Sequence, residues 1–288
     1  PLLLYHAGMI SYPDALKIIR ANAAPLPRET VPLADACGRV AAADILAPSP
    51  NPPFDNAAMD GFAVRCADLP GSLSPIERIV AGVSPPKRAL LPGECHEIMT
   101  GAAIPPGCDA VVPVEKISKD AAGKIVFSSP AEPGENIRPC GSDVAAGAVL
   151  VRAGAILQPS HVLMLATFGV GTVAAPRGAR VATLSTGLEV VDDLSAVLGT
   201  GQIYNSTAPY LRAALARLPV EHDHAGTVAD DSDTFRKKIL DINGKGFDVI
   251  VSTGAVSAGV HDFVPSVLNS LGAEIFFHKV AIRPGKPV

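Results

Sequence analysis

Two stretches rich in hydroxyl groups and glycine carry the side chains best suited to binding an anion. The first, "DVIVSTGAVSAGVHD", spans residues 248–262, and the second, "LSTGLEVV", spans residues 184–191. Small residues leave backbone N–H groups accessible, hydroxyls donate hydrogen bonds, and a following helix adds positive potential at its N-terminus. The pattern predicts a phosphate site built from these residues: Ser185, Thr186, Gly187, Ser252, Thr253, Gly254, Ser257 and Gly259. Because glycine-rich loops are weak motifs, a strand-to-helix turn capped by Asp262 explains the first stretch about equally well.

Three cations follow in "HKVAIRPGKPV", namely Lys279, Arg283 and Lys286. The prolines and glycine of this segment predict a stiff extended turn around the last two. Cations beside an anion-binding loop would strengthen it, whereas a charged cluster at a strand end is more often simply solvated.

Carboxylates concentrate in a segment that is otherwise apolar. "PPFDNAAMDGFAV", residues 52–64, contains two acids: Asp55, which lies beside Asn56 and which we interpret as shaping a turn, and Asp60. We expect three of its apolar side chains to be buried and to hold the segment in place: Phe54, Met59 and Phe62. Further candidates lie in "IMTGAAIPPGCDAVVPVE" and "GENIRPCGSDVAAGAVL", where β-turn chemistry is the alternative: Thr100, Arg138 and Asp143. Carboxylates without nearby basic residues suit Mg²⁺.

The "HDH" stretch also looks like a metal motif, but no further ligands occur at suitable spacing around His222 and His224. We interpret the stretch as an exposed turn near the end of a helix.

The elements that would position these residues fall into two classes. Residues 11–24 predict a helix capped by Ser11, and residues 160–170 predict a short helix capped by Ser160. Between about residue 30 and residue 177, short apolar runs separated by Gly and Pro predict a β-rich region. From residue 180 onward, strands ("RVATLSTG", "FDVIVSTG") alternate with three helices, which predicts a mostly parallel sheet. The apolar face of the first of these helices is predicted from its spacing: Tyr210, Leu211, Ala214, Leu215 and Leu218.

Composition excludes several classes of protein. The 288-residue chain is 48% hydrophobic with a formal net charge of −4, so neither disorder nor broad binding to nucleic acid or to an anionic membrane is expected. Its five cysteines are widely spaced without a CxxC pair, which favours reduced thiols over disulfides or zinc. The chain shows neither a signal peptide nor a run of about eighteen apolar residues, so we expect a cytoplasmic protein.

The motifs occur in an order that resembles the molybdopterin molybdenumtransferase family, known as MoeA in bacteria and as the E domain of gephyrin in animals. The stretches that carry the resemblance span nearly the whole chain: "PPFDNAAMDGFAV", "IMTGAAIPPGCDAVVPVE", "GENIRPCGSDVAAGAVL", "VATLSTGLEVV", "GQIYNST", "DVIVSTGAVSAGVHD" and "KVAIRPGKP". Each stretch alone is modest, but seven in sequence are specific.

The resemblance implies a reaction in which molybdate is inserted into adenylyl-molybdopterin with release of AMP and with assistance from Mg²⁺. It implies catalytic roles for Asp60, Thr100, Asp143 and Lys279, and Mg²⁺ binding by Glu189 and Asp262. The hydroxyl and glycine residues of both loops would bind the cofactor precursor, and Arg283 and Lys286 would attract molybdate.

The resemblance also implies an architecture. It predicts a three-layer, mostly parallel α/β domain like that of MogA over residues 178–288, an inserted β-rich domain over 46–140, and an extended linking and dimerisation region formed by 1–45 with 141–177. The family's C-terminal β-barrel would lie outside this chain. A homodimer is implied, in which the β-rich domain of one subunit faces the α/β domain of the other, with a MogA-like molybdopterin adenylyltransferase as pathway partner.

Three positions depart from the family pattern: Leu188 replaces an acid, Asn205 replaces an acid, and Ala255 replaces a glycine. These departures leave open a paralogue that binds molybdopterin or its nucleotide as a carrier without inserting metal. A scaffold akin to gephyrin is a third reading, for which the sequence shows no partner-binding segment.

Overall fold

The chain forms two compact units in the computed structural model, which describes residues 9–254 and 263–283. One unit consists of Pro1–Val31, Ala36–Ala42 and Ala174–Val288, as far as these segments are described, and the other of Pro32–Asp35 and Ala43–Val173. The second unit is therefore inserted into the first. The finer division into a linking region, a β-rich domain and an α/β domain stays a prediction.

The inserted unit is built almost wholly from short strands. Its strands are β2 (Ile45–Leu46), β3 (Asn56–Ala57), β4 (Gly61–Val64), β5 (Gly71–Ile79), β6 (Glu94–Ile98), β7 (Ala110–Pro113), β8 (Ile117–Lys119), β9 (Ile125–Phe127), β10 (Ile137–Arg138) and β11 (Val149–Val151). One helix, α2 (Pro159–Thr167), follows them, and three single turns of 3-10 helix interrupt the chain at Leu33–Asp35, Cys66–Asp68 and Val114–Lys116.

Six of these strands form one sheet in the order β7-β4-β6-β5-β9-β8. Its pairs are antiparallel except for the parallel pair of β5 with β6. Side chains alternate between the two faces of a strand, and β4 is buried on both: Phe62 and Val64 pack into one apolar cluster with Phe127, while Ala63 packs into another with Ile98. Because both faces of β4 are buried, its register in the sheet is fixed. This register sets the positions of Gly61, the first residue of β4, and of Asp60, which precedes it.

The other unit combines helices with a parallel sheet. Its elements are α1 (Tyr12–Asn22), β1 (Arg28–Pro32), β12 (Thr172–Pro176), β13 (Ala179–Thr186), β14 (Val190–Val191), β15 (Ile203–Tyr204), α3 (Thr207–Leu215), β16 (Val220–Val228), α4 (Ser232–Gly244), β17 (Val249–Thr253) and α5 (Val264–Ser270). The chain passes between the two units within β1 and within β12, which pair with each other, and also between residues 35 and 36 and between residues 42 and 43. The short strands β14 and β15 pair in parallel beside the main sheet.

The main sheet has the order β16-β13-β17 and is parallel throughout. The chain leaves β13 through α3 and enters β16 on one side of β13. It then leaves β16 through α4 and enters β17 on the other side of β13. Because crossovers between parallel strands are right-handed, a reversal of direction puts the two helices on opposite faces of the sheet. On the α4 face, Ala182 and Leu184 of β13 pack against Phe235 of α4 and Val264 of α5. The opposite face, near α3, carries Thr183 and Ser185.

The amino end of the sheet is held by ion pairs. Arg177 forms two hydrogen bonds with the carboxylate of Asp248, at 2.6 and 2.7 Å, and the backbone N–H of Arg180 donates to the same carboxylate at 2.8 Å. The hydrogen bonds from Arg177, together with that from Arg180, lower the pKa of Asp248 to about 2. The guanidinium of Arg180 lies 4.9 Å from the ring centre of Phe247. These contacts tie the start of β13 to the start of β17.

The predicted helices are confirmed in position, with some corrections. Ser11 caps α1 by accepting from the N–H of Asp14 at 3.2 Å, as predicted. The predicted cap of α2 is wrong, because Gln158 is the N-cap and Ser160 lies inside the helix. Three residues assigned to the apolar face of α3 are also wrong, since Ala214 is exposed, Tyr210 is 67% exposed, and Leu218, beyond the end of α3, is 56% exposed. Among the described residues, no helix has both the length and the apolar character needed to cross a membrane.

Candidate functional site

A cavity of about 220 Å³ lies at the carboxyl ends of β13 and β17. Its lining combines both predicted anion-binding stretches with the residues that lead into α3: Ser185, Thr186, Glu189, Val190, Ile203, Tyr204, Asn205, Ser206, Thr207, Thr253 and Gly254. Ligands of parallel α/β sheets bind at this end, where neighbouring crossovers diverge to opposite faces. The structure therefore brings together five predicted site residues from two distant segments. Ser185, Thr186 and Glu189 come from the first segment, and Thr253 and Gly254 follow about 65 positions later.

Strand register explains this convergence. Ser185 of β13 is paired directly with Thr253 of β17, and the Thr253 hydroxyl donates to Ser185 Oγ at 3.3 Å. The Thr186 hydroxyl donates to the carbonyl of Thr253 at 3.3 Å. These contacts join the two "STG" sequences side by side at the edge of the cavity.

Two glycines permit the close approach of the chain at this edge. Gly254 has a φ of +93°, and a Cβ at this position would collide with the hydroxyl and carbonyl oxygens of Thr186. Gly187 has a φ of +138°, and a Cβ there would meet the carboxylate of Glu189 at 2.9 Å. Side chains other than glycine are strained in this region of φ. Both predicted glycines are thus required by local geometry.

The hydroxyl of Ser185 is available as a donor. Its oxygen accepts from Asn205 Nδ2 at 2.9 Å and from the Thr253 hydroxyl. A serine hydroxyl carries one donor hydrogen and two acceptor positions. Since its oxygen already accepts twice, the hydrogen of the Ser185 hydroxyl is left to donate to an anionic oxygen in the cavity that Ser185 lines.

The N-terminus of α3 faces the same cavity. Asn205 accepts from the N–H of Ala208 at 3.0 Å through its Oδ1 and so satisfies one of the free N–H groups of the first helical turn. Ser206 and Thr207 are part of the lining. The positive end of the helix dipole therefore adds to the potential that favours an anion here.

A partly exposed polar network supports Asn205, in which the side chains of Asp192 and His224 are 41% and 24% exposed. Three donors converge on Oδ1 of Asp192: Asn205 Nδ2 at 2.7 Å, the Thr227 hydroxyl at 2.8 Å and His224 Nε2 at 3.3 Å. Burial of Asp192 raises its pKa, but these hydrogen bonds outweigh burial and hold the pKa of the carboxyl below its ordinary value. Asp192 is a residue that sequence reasoning missed, because its partners lie 13 to 35 positions away.

The network depends on a bulge in β16. Thr183 pairs with His224, but Ser185 pairs with Thr227, so two residues of β16 stand opposite one of β13. A bulge of this kind shifts the alternation of side chains by one position. His224 and Thr227 consequently reach the same carboxylate, although two residues separate them.

The interpretation of "HDH" as an exposed turn is wrong. His222 and His224 lie within β16 and are partly buried, whereas Glu221 and Asp223 between them are exposed. Both imidazoles contact the Thr183 hydroxyl at 3.0 Å. The strand was identifiable from its alternation of exposed acids with Val220 and the two histidines, a period of two that excludes a helix.

The predicted catalytic residues of the inserted unit form local pairs. Asp60 Oδ1 accepts from both the backbone N–H and the hydroxyl of Thr100, at 2.7 and 2.6 Å. The hydroxyl of Thr100, with help from its backbone N–H, lowers the pKa of Asp60. Asp143 accepts from Arg138 at 2.6 Å. All four side chains are exposed, and the ionised acids are thus held in fixed orientations at the surface.

The segment around Asp60 is less buried than expected. Phe62 is 4% exposed, as predicted, but Phe54 and Met59 are 46% and 42% exposed, so their predicted burial is wrong. Asp55 accepts from the backbone N–H of Cys140 at 2.7 Å and joins two loops. The segment is instead held by the flanking strands β3 and β4, which are buried.

Other predicted residues stand apart from the cavity or outside the described structure. Lys279 and Arg283 are exposed and are not among the residues that line it, and the backbone of Lys279 bonds to Ile10 at 3.0 Å. Ser252 lies on β17 but is likewise not in the lining. The remaining predictions fall outside the described residues: Ala255, Ser257, Gly259, Asp262 and Lys286.

A second cavity, of about 390 Å³, lies at the amino end of the same sheet and contains three arginines. Each of them already has an acidic partner: Arg39 pairs with Glu29, Arg177 with Asp248, and Arg180 with Glu221. Paired guanidiniums attract a further anion weakly. The carboxyl-end cavity is therefore the better anion site, although it is smaller.

Two family models match the chain. Residues 10–169 match the model for the MoeA N-terminal region (domain I and II), and residues 182–288 match that for a probable molybdopterin binding domain. The chain is 39% identical over 289 aligned positions to the molybdopterin molybdenumtransferase of Synechococcus elongatus. The chain belongs to the molybdopterin molybdenumtransferase family. This membership confirms the resemblance inferred from the seven stretches.

Further relatives support the same assignment. The Haemophilus influenzae molybdopterin molybdenumtransferase is 38% identical over 275 residues. The crystal structure of a molybdopterin biosynthesis MoeA protein from Pyrococcus horikosii has a TM-score of 0.85 and 33% identity. The fold prediction of an α/β domain with an inserted β-rich domain is confirmed. Relatives in this family are named molybdopterin molybdenumtransferases, and the family acts in molybdenum cofactor biosynthesis, as the sequence predicts.

The chain corresponds to only part of the length of these relatives. The Synechococcus alignment covers 97% of this chain and 72% of the relative, and the Haemophilus alignment covers 91% and 65%. The Pyrococcus structure is covered to 71%, by 97% of this chain. The shared part includes both units of the molybdopterin molybdenumtransferase fold described above.

Proposed function

We propose that this protein inserts molybdate into adenylyl-molybdopterin and releases AMP in molybdenum cofactor biosynthesis. The observation that carries the proposal is the cavity at the carboxyl ends of β13 and β17. This cavity brings together hydroxyl donors, a helix N-terminus and one carboxylate. The family to which the chain belongs is named for transfer of molybdenum to molybdopterin.

The cavity residues suit the phosphate that joins AMP to the pterin. The Ser185 hydroxyl and the N-terminus of α3 offer hydrogen-bond donors and positive potential to phosphate oxygens. Cleavage of a phosphoanhydride develops negative charge on those oxygens, and donors held in place before the reaction stabilise it. These groups would bind the substrate and stabilise the departing AMP.

Mg²⁺ fits the same edge of the sheet. Glu189 lines the cavity, and Mg²⁺ commonly binds one or two protein carboxylates together with phosphate oxygens and water. Among the described residues, no group of three or more His, Cys, Asp or Glu side chains forms a complete metal site. Glu189 would therefore hold Mg²⁺ jointly with the substrate, and Mg²⁺ would supply neutralisation of phosphate charge.

We further propose that the protein acts as a homodimer, and that Asp60, Thr100 and Asp143 of the inserted unit, with Lys279, act on the substrate in that assembly. Arg283 and Lys286 would attract molybdate. The substrate would come from a molybdopterin adenylyltransferase, because an adenylylated pterin must be made before it can be cleaved.

An AMP-release assay tests the proposal. The protein is incubated with adenylyl-molybdopterin and Mg²⁺, with and without molybdate, and AMP is quantified by chromatography. We expect AMP to appear when molybdate is present and to stay near background without it. Absence of AMP at every Mg²⁺ concentration, in a sample that is folded and dimeric, would contradict the proposal.

Binding without turnover is the second candidate. It is favoured by two observations: Asn205, which lines the cavity, presents an amide where the family pattern has an acid, and Leu188, next to Glu189 in sequence, is 77% exposed. Calorimetry separates the candidates. Tight binding of adenylyl-molybdopterin without AMP release supports the carrier, whereas AMP release supports the enzyme.

A further inference from the structure

A chain of hydrogen bonds runs through the α/β unit from the strand β16 to the cavity. It begins at His222, passes through the Thr183 hydroxyl to His224, continues to Asp192, and ends at Asn205. No distance along it exceeds 3.3 Å. The chain connects two histidines and one carboxylate to Asn205, which lines the cavity and accepts from an N–H of the first turn of α3.

The contacts allow two arrangements of protons. When His224 is neutral and its Nε2–H donates to Asp192, its Nδ1 accepts from the Thr183 hydroxyl, and His222 Nε2 donates to Thr183. When His224 is protonated, both of its nitrogens donate. The Thr183 hydroxyl then donates to His222 Nε2, which can accept because neutral His222 carries its proton on Nδ1 in this arrangement. Uptake of one proton by His224, together with this change of tautomer in His222, reverses the direction of the chain and gives Asp192 a cationic partner.

Asn205 depends on Asp192 for its orientation. Nδ2 of Asn205 faces the Asp192 carboxylate at 2.7 Å, and this contact requires the amide nitrogen, not the amide oxygen, on that side. The opposite atom, Oδ1, is then directed to the N–H of Ala208 at the start of α3. Any change in the strength of the Asp192 acceptor is therefore transmitted to both the cap and the cavity.

We propose that His224, acting through Asp192, is a positioning residue for Asn205, and that its protonation state adjusts the anion-binding cavity. For its ligand, this inference rests on the proposed function. Protonation places a positive charge against Asp192 and offsets a negative charge behind the cavity. A nucleotide phosphate should accordingly bind more tightly when His224 is protonated.

The other charged groups around the pair have defined positions. Asp223 follows His222 in the strand, and Arg212 lies on α3. Burial lowers the pKa of His222, with further lowering by His224 and Arg212 and an opposing effect of Asp223, so the neutral form of His222 is favoured. His222 is thereby available as the acceptor that the protonated arrangement requires.

Nuclear magnetic resonance of the folded protein tests the positioning role directly. The side-chain amide of Asn205 and the ring of His224 are followed from pH 5.0 to 8.5 in the wild type and in His224→Gln. Glutamine can donate to Asp192 and accept from Thr183, but it does not titrate. In the wild type we expect the side-chain amide resonance of Asn205 to shift with pH, with the same midpoint as the titration of the His224 ring. In His224→Gln we expect the Asn205 resonance to stay constant.

A matched variant, His222→Gln, keeps His224 against Asp192 and should retain the Asn205 response. An Asn205 amide that stays constant while the His224 ring titrates would overturn the inference. So would a response that persists in His224→Gln and disappears in His222→Gln.

AMP affinity extends the test to the cavity. The affinity for AMP is measured at each pH for the wild type and for His224→Gln, and the ratio of the two affinities is taken. Because the AMP phosphate titrates equally in both measurements, its contribution cancels in this ratio. We expect this ratio to rise roughly twofold to fivefold as the pH falls through the His224 midpoint, the size expected of one added charge in a partly solvated setting. A constant ratio with AMP bound would overturn the effect on the ligand. Failure of AMP to bind at any pH would count against the proposed function instead, and the resonance experiment would still decide the positioning role.

Discussion

At the residue scale, the two acids of "PPFDNAAMDGFAV" differ in what they contact. Asp55 joins its loop to the backbone of Cys140, and Asp60 joins the end of one loop to Thr100. Asp60 uses only Oδ1 in the contacts with Thr100. It is therefore at once a structural acceptor and an exposed, ionised carboxylate, and these two roles can be separated by substitution.

Asp60→Asn should separate them. The amide oxygen can still accept both hydrogen bonds from Thr100, so we expect a melting temperature close to that of the wild type. Loss of the negative charge should lower the rate of AMP release by about 10²-fold, a size typical of a positioned acid or base. Thermal melting and the AMP assay provide the two measurements.

Asp60→Ala is the matched comparison, because it removes the acceptor as well as the charge. We expect lower activity and a lower melting temperature in this variant. If Asp60→Asn keeps full activity while Asp60→Ala loses both activity and stability, Asp60 acts solely as a support for Thr100.

At the element scale, the turn after β17 requires glycine. Gly254→Ala should destabilise the α/β unit by about 1–3 kcal/mol, because the backbone is in the left-handed region and the new methyl group would collide with Thr186. AMP binding should weaken with it, since Thr186 lines the cavity. Denaturant unfolding and AMP titration check these outcomes.

Gly244→Ala is a control in the same unit. Gly244 ends α4, its φ is not positive, and no atom lies within 4 Å of a Cβ built there. We expect the free energy of unfolding of the Gly244→Ala variant to be unchanged or raised by up to about 1 kcal/mol. Equal destabilisation by both substitutions would contradict the steric account of Gly254.

The strand β6 carries a histidine that should make the inserted unit sensitive to acid. His96 is 2% exposed, and its Nδ1 has no hydrogen bond, although Glu77 lies 3.8 Å away. Burial lowers the pKa of His96 in the folded protein below its ordinary value of 6.5. The unfolded chain therefore binds more protons than the folded chain, and the free energy of unfolding falls as the pH drops below about 6.5.

His96→Met removes this titration while it fills a similar apolar space. We expect the stability of the variant to depend less on pH between 7.5 and 5 than that of the wild type, as measured by urea unfolding. Identical pH dependence of the two proteins would show that His96 does not protonate on unfolding in this range.

At the scale of the whole molecule, the sequence predicts the order and type of the elements well. The parallel sheet follows from apolar runs that close on "STG", and the convergence of Ser185 with Thr253 follows from the rule that parallel strands end at one edge. The strand β16 was missed because its alternation includes histidines, which lack the apolar character that marks most strands.

The supporting network could not be predicted from the sequence. Asp192 reaches Asn205, Thr227 and His224 because β16 has a bulge and because β14 pairs with β15 beside the sheet. Neither feature leaves a local sequence signal. The exposure of Phe54 and Met59 was also unpredictable, since apolar residues in a loop are buried only when another element covers them.

The central claim is that the carboxyl-end cavity binds the nucleotide phosphate of the substrate. The most direct test is a titration of the protein with AMP in which the backbone amide resonances are monitored. The same sheet carries a second cavity at its opposite end, so the residues whose resonances shift show which cavity binds AMP. We predict saturable shifts at Thr186, Asn205 and Thr253. Shifts at Arg180 and Glu221 instead, or no saturable shift at millimolar AMP, would contradict the claim.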